Sequence, residues 1–274
     1  MCTPKRCIPL WHNGAKCRIS AAPLRPRRRL SGAESGVGIA AAQERYEQIS
    51  DRTRRLPDFR VSDLERSRRF FDLSSPSLPT RSFEVLTCVV GLPLPVALQR
   101  AFLDKRREIL GSIPATTRVY RVAPTLLHWE AHIIRRPEEP DIPSSMDDLE
   151  RAVRLAVGGT PAFSIDFAGF FVSPEGTVCF QGLGEWDTLR RRLAEQLPDS
   201  SVHQLETGHV SVARILDPIG SSAFPQLVAL RDASSGERYG TLAVDEVKLV
   251  LERRWYMEDH TVVCAARTQG VAAG

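Results

Sequence analysis

Two short stretches carry imidazoles that packing alone does not require. "ETGHVSVARIL", residues 206–216, reads as a buried strand with Val210, Val212 and Arg214 on one face and His209, Ser211 and Ala213 on the other. "TLLHWEAHII", residues 125–134, reads the same way, with His128, Glu130 and His132 sharing a face and apolar neighbours turned away. Two imidazoles can serve as base and acid near neutral pH because their pKa lies close to it. A zinc centre on His128, Glu130 and His132 has ligand-type side chains at alternate positions but lacks a further ligand, so no metal is assigned.

The surrounding elements must hold these residues in place. From Phe83 onward, strand-like and helix-like stretches alternate. "FEVLTCVVGL" is a strand, and "LPVALQRAFLDKRREIL" is a helix with apolar Val96, Leu98, Phe102, Leu103, Ile109 and Leu110. Ser145 caps the helix "MDDLERAVRLAV", which Gly158-Gly159 ends. "FSIDFAGFFV" and "TVCFQGL" form a hairpin through "SPEG", and the helix "EWDTLRRRLAEQL" follows. After the His209 strand come a helix near "FPQLVALRDA" and two strands, "YGTLAVDEVKLVLERR" and "HTVVCAA". The pattern predicts an α+β fold over antiparallel sheets. Trp129 reads as core, Arg190-Arg191-Arg192 as a solvated helix face, and His203 and His260 as surface or edge-strand residues.

"HVSVAR" resembles the second signature of the 2H phosphoesterase superfamily, a strand histidine followed two residues later by Ser or Thr. "FSIDFAGFFVSPEGTVCFQGLGEWDTLRRRLAEQLP" is similar to the hairpin and helix before that signature in the 2′-5′ RNA ligase-like, cyclic phosphodiesterase branch, and "YGTLAVDEVKLVLERRWYMEDHTVV" to its closing strands. The likeness runs from about Phe83 to Ala265. It implies a bilobal fold of two pseudo-symmetric lobes, antiparallel sheet with helices outside, and a central cleft. His128 and His209 would face each other there as the catalytic pair, with Ser211 and Glu130 on the substrate and no metal or cofactor. The implied reaction is hydrolysis of a 2′,3′-cyclic phosphate or 2′-5′ linkage in an RNA end or small nucleotide. Glu130 stands where the family has Ser or Thr, which leaves a second reading open: a catalytically impaired module that binds a nucleotide or RNA. A cation beside Glu130, which Arg135 or Arg136 just downstream could supply, would favour the enzyme reading, and an unpaired carboxylate the binder. Arg214, placed on the opposite strand face, is read as structural.

Composition sets the remaining bounds. The 274-residue chain carries 37 Lys/Arg and 33 Asp/Glu, a net charge of +4. Eight of those cations and no acid fall in residues 1–33, so the rest holds 29 basic against 33 acidic residues, a balance of −4. The body is therefore not a surface built to coat nucleic acid, and no apolar run is long enough to cross a membrane. Six scattered cysteines suit a reducing compartment rather than a disulfide framework. Cys2, Cys7, His12 and Cys17 are spaced with four residues in every gap, unlike a zinc knuckle. Residues 1–75 are expected to be a basic, largely disordered extension with a short helical stretch at Ser62, whose spacing to Glu65 fits a capping box. "DLSSPSLPTRS" would mark the boundary, with residues 76–274 as the domain. The expectation is a cytoplasmic monomer that keeps its stability when cut at residue 75. The Arg-rich N-terminus also has the composition of an organelle-targeting peptide.

Overall fold

The computed structural model describes residues 35–270. Strands β1 (Ser82–Val90), β3 (Trp129–Arg135), β8 (Glu246–Arg254) and β9 (Asp259–Arg267) form one sheet in the order β3-β1-β8-β9. Strands β2 (Val119–Arg121), β4 (Phe163–Val172), β5 (Thr177–Gly184), β6 (Gly208–Ile215) and β7 (Arg238–Val244) form a second in the order β2-β6-β5-β4-β7. Every pairing among these strands is antiparallel. Helices α3 (Val96–Gly111), α4 (Met146–Gly158), α5 (Asp187–Gln196) and α6 (Ala223–Ala233) complete the α+β architecture over antiparallel sheets that the alternating pattern predicts.

The core follows from that periodicity. On α3, Leu98, Phe102 and Ile109 are buried at helical spacing, and Phe102 stacks on Phe180 of β5 with centroids 4.3 Å apart. On α4 the Ser145 hydroxyl accepts from the Asp148 N–H at 3.2 Å, the expected cap. One predicted strand is in fact two. The stretch from Tyr239 to Arg254 leaves the second sheet as β7, turns at Asp245, and enters the first sheet as β8. The short β2 makes the opposite exchange, so the two lobes are interleaved rather than consecutive halves of the chain.

The expected boundary at residue 75 is not where the domain begins. Helices α1 (Ser35–Arg54) and α2 (Val61–Arg68) pack into the same core, with Tyr46, Phe59, Leu64 and Phe71 all at most 2% exposed. Asp58 accepts from the Ile219 and Gly220 amides at 3.1 and 2.8 Å, and Thr53 donates to the Val172 carbonyl at 2.6 Å. Ser62 is not a cap: α2 begins at Val61 after Arg60, and Arg60 Nε binds Asp63 at 2.7 Å. The apolar residues of this segment are few and widely spaced, so it looks like a charged linker until its neighbours are in place. The Cys2–Cys17 spacing and the basic tail lie outside the described residues.

Candidate active site

Two β-bulges decide which side chains reach the cleft. In β3, Val89 pairs with Glu130 and Cys88 with His132, so Ala131 is an extra residue and the alternation slips. Glu130 then faces the cleft, while His132 turns with Cys88 to the other side and is buried. In β6, Cys179 pairs with Ser211 but Val178 pairs with Ala213, so Val212 is extra. Arg214 therefore swings onto the face of His209 and Ser211. Strand alternation alone puts His132 beside Glu130 and Arg214 on the opposite face, and the two bulges reverse both. A zinc centre on His128, Glu130 and His132 is excluded by the same geometry, since two of its ligands point to opposite sides. Among the described residues no group of three or more His, Cys, Asp or Glu is gathered to hold a metal ion.

His128 sits just ahead of β3, after a 3-10 turn at Pro124–Leu126, and His209 is the second residue of β6. Their chain neighbours lock the two sites together. A Cβ on Gly208 would come within 2.7 Å of Trp129 Nε1 and 2.8 Å of Trp186 Cη2, so only glycine lets the strand starts approach this closely. Arg190 of α5 then ties both segments by their backbones. It donates to the carbonyls of Ala131 at 3.1 Å, Glu130 at 3.3 Å, Leu205 at 3.0 Å and Thr207 at 2.9 Å. Its guanidinium lies 5.1 Å from the Trp129 ring centroid. Burial pulls its pKa down to about 10. Arg190 is thus a half-buried clamp, not part of a solvated face. On the other flank, the Tyr46 hydroxyl sits between the carbonyls of Gly208 and Gly182 (2.9 Å for the latter) at the root of β6.

His128 and His209 consequently line one cleft of about 380 Å³, with Glu130, Ser211 and Arg214. His128 Nδ1 meets the Leu126 carbonyl at 2.7 Å, which requires the proton on Nδ1 and leaves Nε2 as the free nitrogen. His209 Nδ1 meets the Thr207 hydroxyl at 3.0 Å, and its ring stands edge-on to Phe171 at 5.6 Å. Burial lowers both imidazole pKa values. His209 falls to about 4, pushed further by Arg190, Arg214 and His128. For His128 the Leu126 carbonyl and Glu130 oppose the fall.

Arg214 is the residue that strand alternation concealed. Its Nε donates to the Tyr256 hydroxyl at 2.8 Å, its Nη1 to the Ser67 hydroxyl of α2 at 2.5 Å, and it lies 4.3 Å from the Trp255 ring centroid. Two of five N–H donors are used, leaving three for an anion in the cleft. Glu130 accepts from Thr87 Oγ1 at 2.8 Å. Neither expected arginine pairs with it: Arg135 binds Glu84 and Asp141, and Arg136 donates to the His203 carbonyl at 2.9 Å. Glu252 also lines the cleft, its pKa raised to about 8 by burial and held back by the Met257 N–H. Trp129 is core, His203 is exposed, and His260 lies on the edge strand β9, as expected. No helix of the described residues is long and apolar enough to cross a membrane.

No family model matches the chain, and no curated protein matches it. Among solved structures it resembles apo LigT of E. coli at 16% identity and TM-score 0.46, over 69% of this chain and 99% of that one. It resembles TT0787 of Thermus thermophilus at 16% identity and TM-score 0.48, over 68% and 98% of the two chains. A structure described as a phosphoesterase shares 15% identity at TM-score 0.45, over 68% and 98%. LigT has also been solved with ATP and with 3′-AMP.

Proposed function

We propose that this protein is a metal-independent phosphoesterase that opens a 2′,3′-cyclic phosphate, or cleaves a 2′-5′ linkage, in an RNA end or small nucleotide. The observation that carries the proposal is the set of four side chains in one cleft: the imidazole just ahead of β3, the imidazole of β6, and Ser211 and Arg214 beside them. His209, neutral at physiological pH, takes a proton from water as the oxygen attacks phosphorus. His128 returns a proton to the departing ribose oxygen, so a P–O bond forms as another breaks and the proton count balances. Arg214 and Ser211 hold the non-bridging oxygens, where charge accumulates. A bound phosphate anion and Glu130 both favour the protonated form of His128 that this role needs. Glu130 therefore serves the acid rather than the phosphate.

Incubating the protein with nucleoside 2′,3′-cyclic phosphates and 2′-5′ dinucleotides, with and without chelator, tests this directly. Chelator-resistant formation of a phosphomonoester supports it, and zinc-dependent turnover sinks it. One observation favours a second reading, a binding module without turnover: among the described residues Glu130 has no Lys or Arg partner.

A further inference from the structure

Between β8 and β9 the chain takes a course that side chains resist. Tyr256 and Met257 both have a φ of +61°, in the left-handed region, and neither is glycine. For bulky residues such backbone is costly and persists only where the surroundings over-determine it. Here they do. The Glu252 carboxylate of β8 accepts from the Met257 N–H at 2.9 Å. Glu258, on the far side of the turn, accepts from the Thr80 N–H at 3.3 Å and the Tyr120 hydroxyl at 2.7 Å. The Tyr256 ring is 5% exposed and stacks on Tyr120 and Trp255, with centroids 5.2 and 4.9 Å apart. The turn thus fixes a buried phenol in the lining of the histidine cleft, beside Arg214.

That phenol has a donor to spare. Its oxygen accepts from Arg214 Nε at 2.8 Å, and no acceptor for its own proton stands among the described residues. Burial raises its pKa, against the pull of Arg214, so the proton stays on the oxygen. The Ser67 hydroxyl on the same guanidinium differs, because it passes its proton to the Glu175 carbonyl at 2.7 Å. A buried O–H without an acceptor is costly, and an anion in the cleft is the acceptor that would satisfy it. We propose that Tyr256 donates a hydrogen bond to a non-bridging oxygen of the bound phosphate, beside Arg214 and Ser211. The left-handed turn then serves to hold that hydroxyl at the phosphate. The inference rests on the reading of this cleft as a phosphate site, adds a residue to it, and does not require turnover.

Phosphate binding and turnover are measured apart. Phosphorus NMR titration with inorganic phosphate gives the affinity of the full chain, of Tyr256→Phe, of Arg214→Ala and of the double variant. Phenylalanine keeps the ring and its stacking and removes only the hydroxyl. Losing a hydrogen bond to a charged acceptor should weaken phosphate binding by about tenfold or more. A similar loss is expected when residue 214 is already alanine, because the contact is direct. A loss seen only with Arg214 present would mean that Tyr256 merely orients the guanidinium, and would overturn the contact. So would unchanged affinity in Tyr256→Phe, or no phosphate binding by the unmodified chain. Where the alanine background binds too weakly to compare, Arg214→Lys, which keeps a charge, takes its place with the same expected outcomes. Turnover of a nucleoside 2′,3′-cyclic phosphate by the unmodified protein tests the enzyme separately. Tyr256-dependent phosphate binding without turnover would leave the contact and remove the enzyme. Turnover with phosphate binding indifferent to Tyr256→Phe would do the reverse.

Discussion

His209 and Arg214 share one face of β6 although they lie five positions apart, because Val212 bulges from the ladder between them. A regular strand would put them on opposite faces. Arg214→Ala is expected to lower kcat/KM by about 10²–10³-fold, the range typical for losing a donor to a growing anion. Arg214→Lys should recover only part of that, since an ammonium cannot hold Tyr256, Ser67 and a phosphate with one planar fork. Unchanged kinetics in both variants would place the phosphate elsewhere.

The histidines should be nearly indispensable. His128→Ala and His209→Ala are each expected to cost about 10²–10⁴-fold in turnover, while Ser211→Ala, which removes one hydrogen bond, should cost less. Steady-state rates on a cyclic nucleotide decide it. A Ser211 effect exceeding either histidine effect contradicts the assigned roles.

Glu130 makes a sharper case. If it favours protonated His128, then Glu130→Gln should move the alkaline limb of the kcat/KM profile to lower pH, because the acid loses its proton earlier. Glu130→Thr removes the same carboxylate and should move the limb the same way. A rate change with both limbs fixed would mean that the carboxylate acts on the substrate instead.

Removal of residues 1–75 should abolish cooperative unfolding. Tyr46, Phe59, Leu64 and Phe71 are almost fully buried, and each contributes about 1.5–3 kcal/mol of burial against a typical total of about 5–15 kcal/mol. Tyr46→Phe keeps the ring and should cost about 1–3 kcal/mol through its lost hydroxyl contacts. Thermal melts of both forms give the answer, and a truncated chain as stable as the whole would restore the boundary at residue 75.

The buried titratable groups set opposing pH slopes. His132 and His209, with pKa lowered from 6.5 to about 4, remain unprotonated when folded but gain a proton when unfolded. Their contribution is complete above pH 6.5 and is lost as pH falls toward 4. Glu252, raised from 4.5 to about 8, holds its proton longer when folded, so its contribution is lost as pH rises through that range. Stability should therefore peak near about pH 6.5. Glu252→Gln keeps an acceptor for the Met257 N–H and should flatten the decline toward about pH 8. A wild-type melting temperature still climbing at about pH 8 would contradict the raised Glu252 pKa.

Local sequence was enough to show the element types, because side-chain alternation and helical spacing are local properties. It also singled out His128, His209 and Ser211, since a polar residue on an otherwise apolar strand is visible without a structure. Tertiary structure decided the rest. Alternation assumes one residue per ladder position, so it cannot see the extra residues Ala131 and Val212, and each bulge inverts the facing of the side chains after it. The sheet exchange at Asp245 is hidden for a similar reason: both strands continue the same apolar pattern and differ only in their partners. Residues 35–75 and Arg190 look solvated in the sequence because their burial depends on groups more than a hundred residues away or on carbonyls of other segments. A charged helix becomes part of a core only when distant backbone supplies the hydrogen bonds and the rings that its own sequence does not contain.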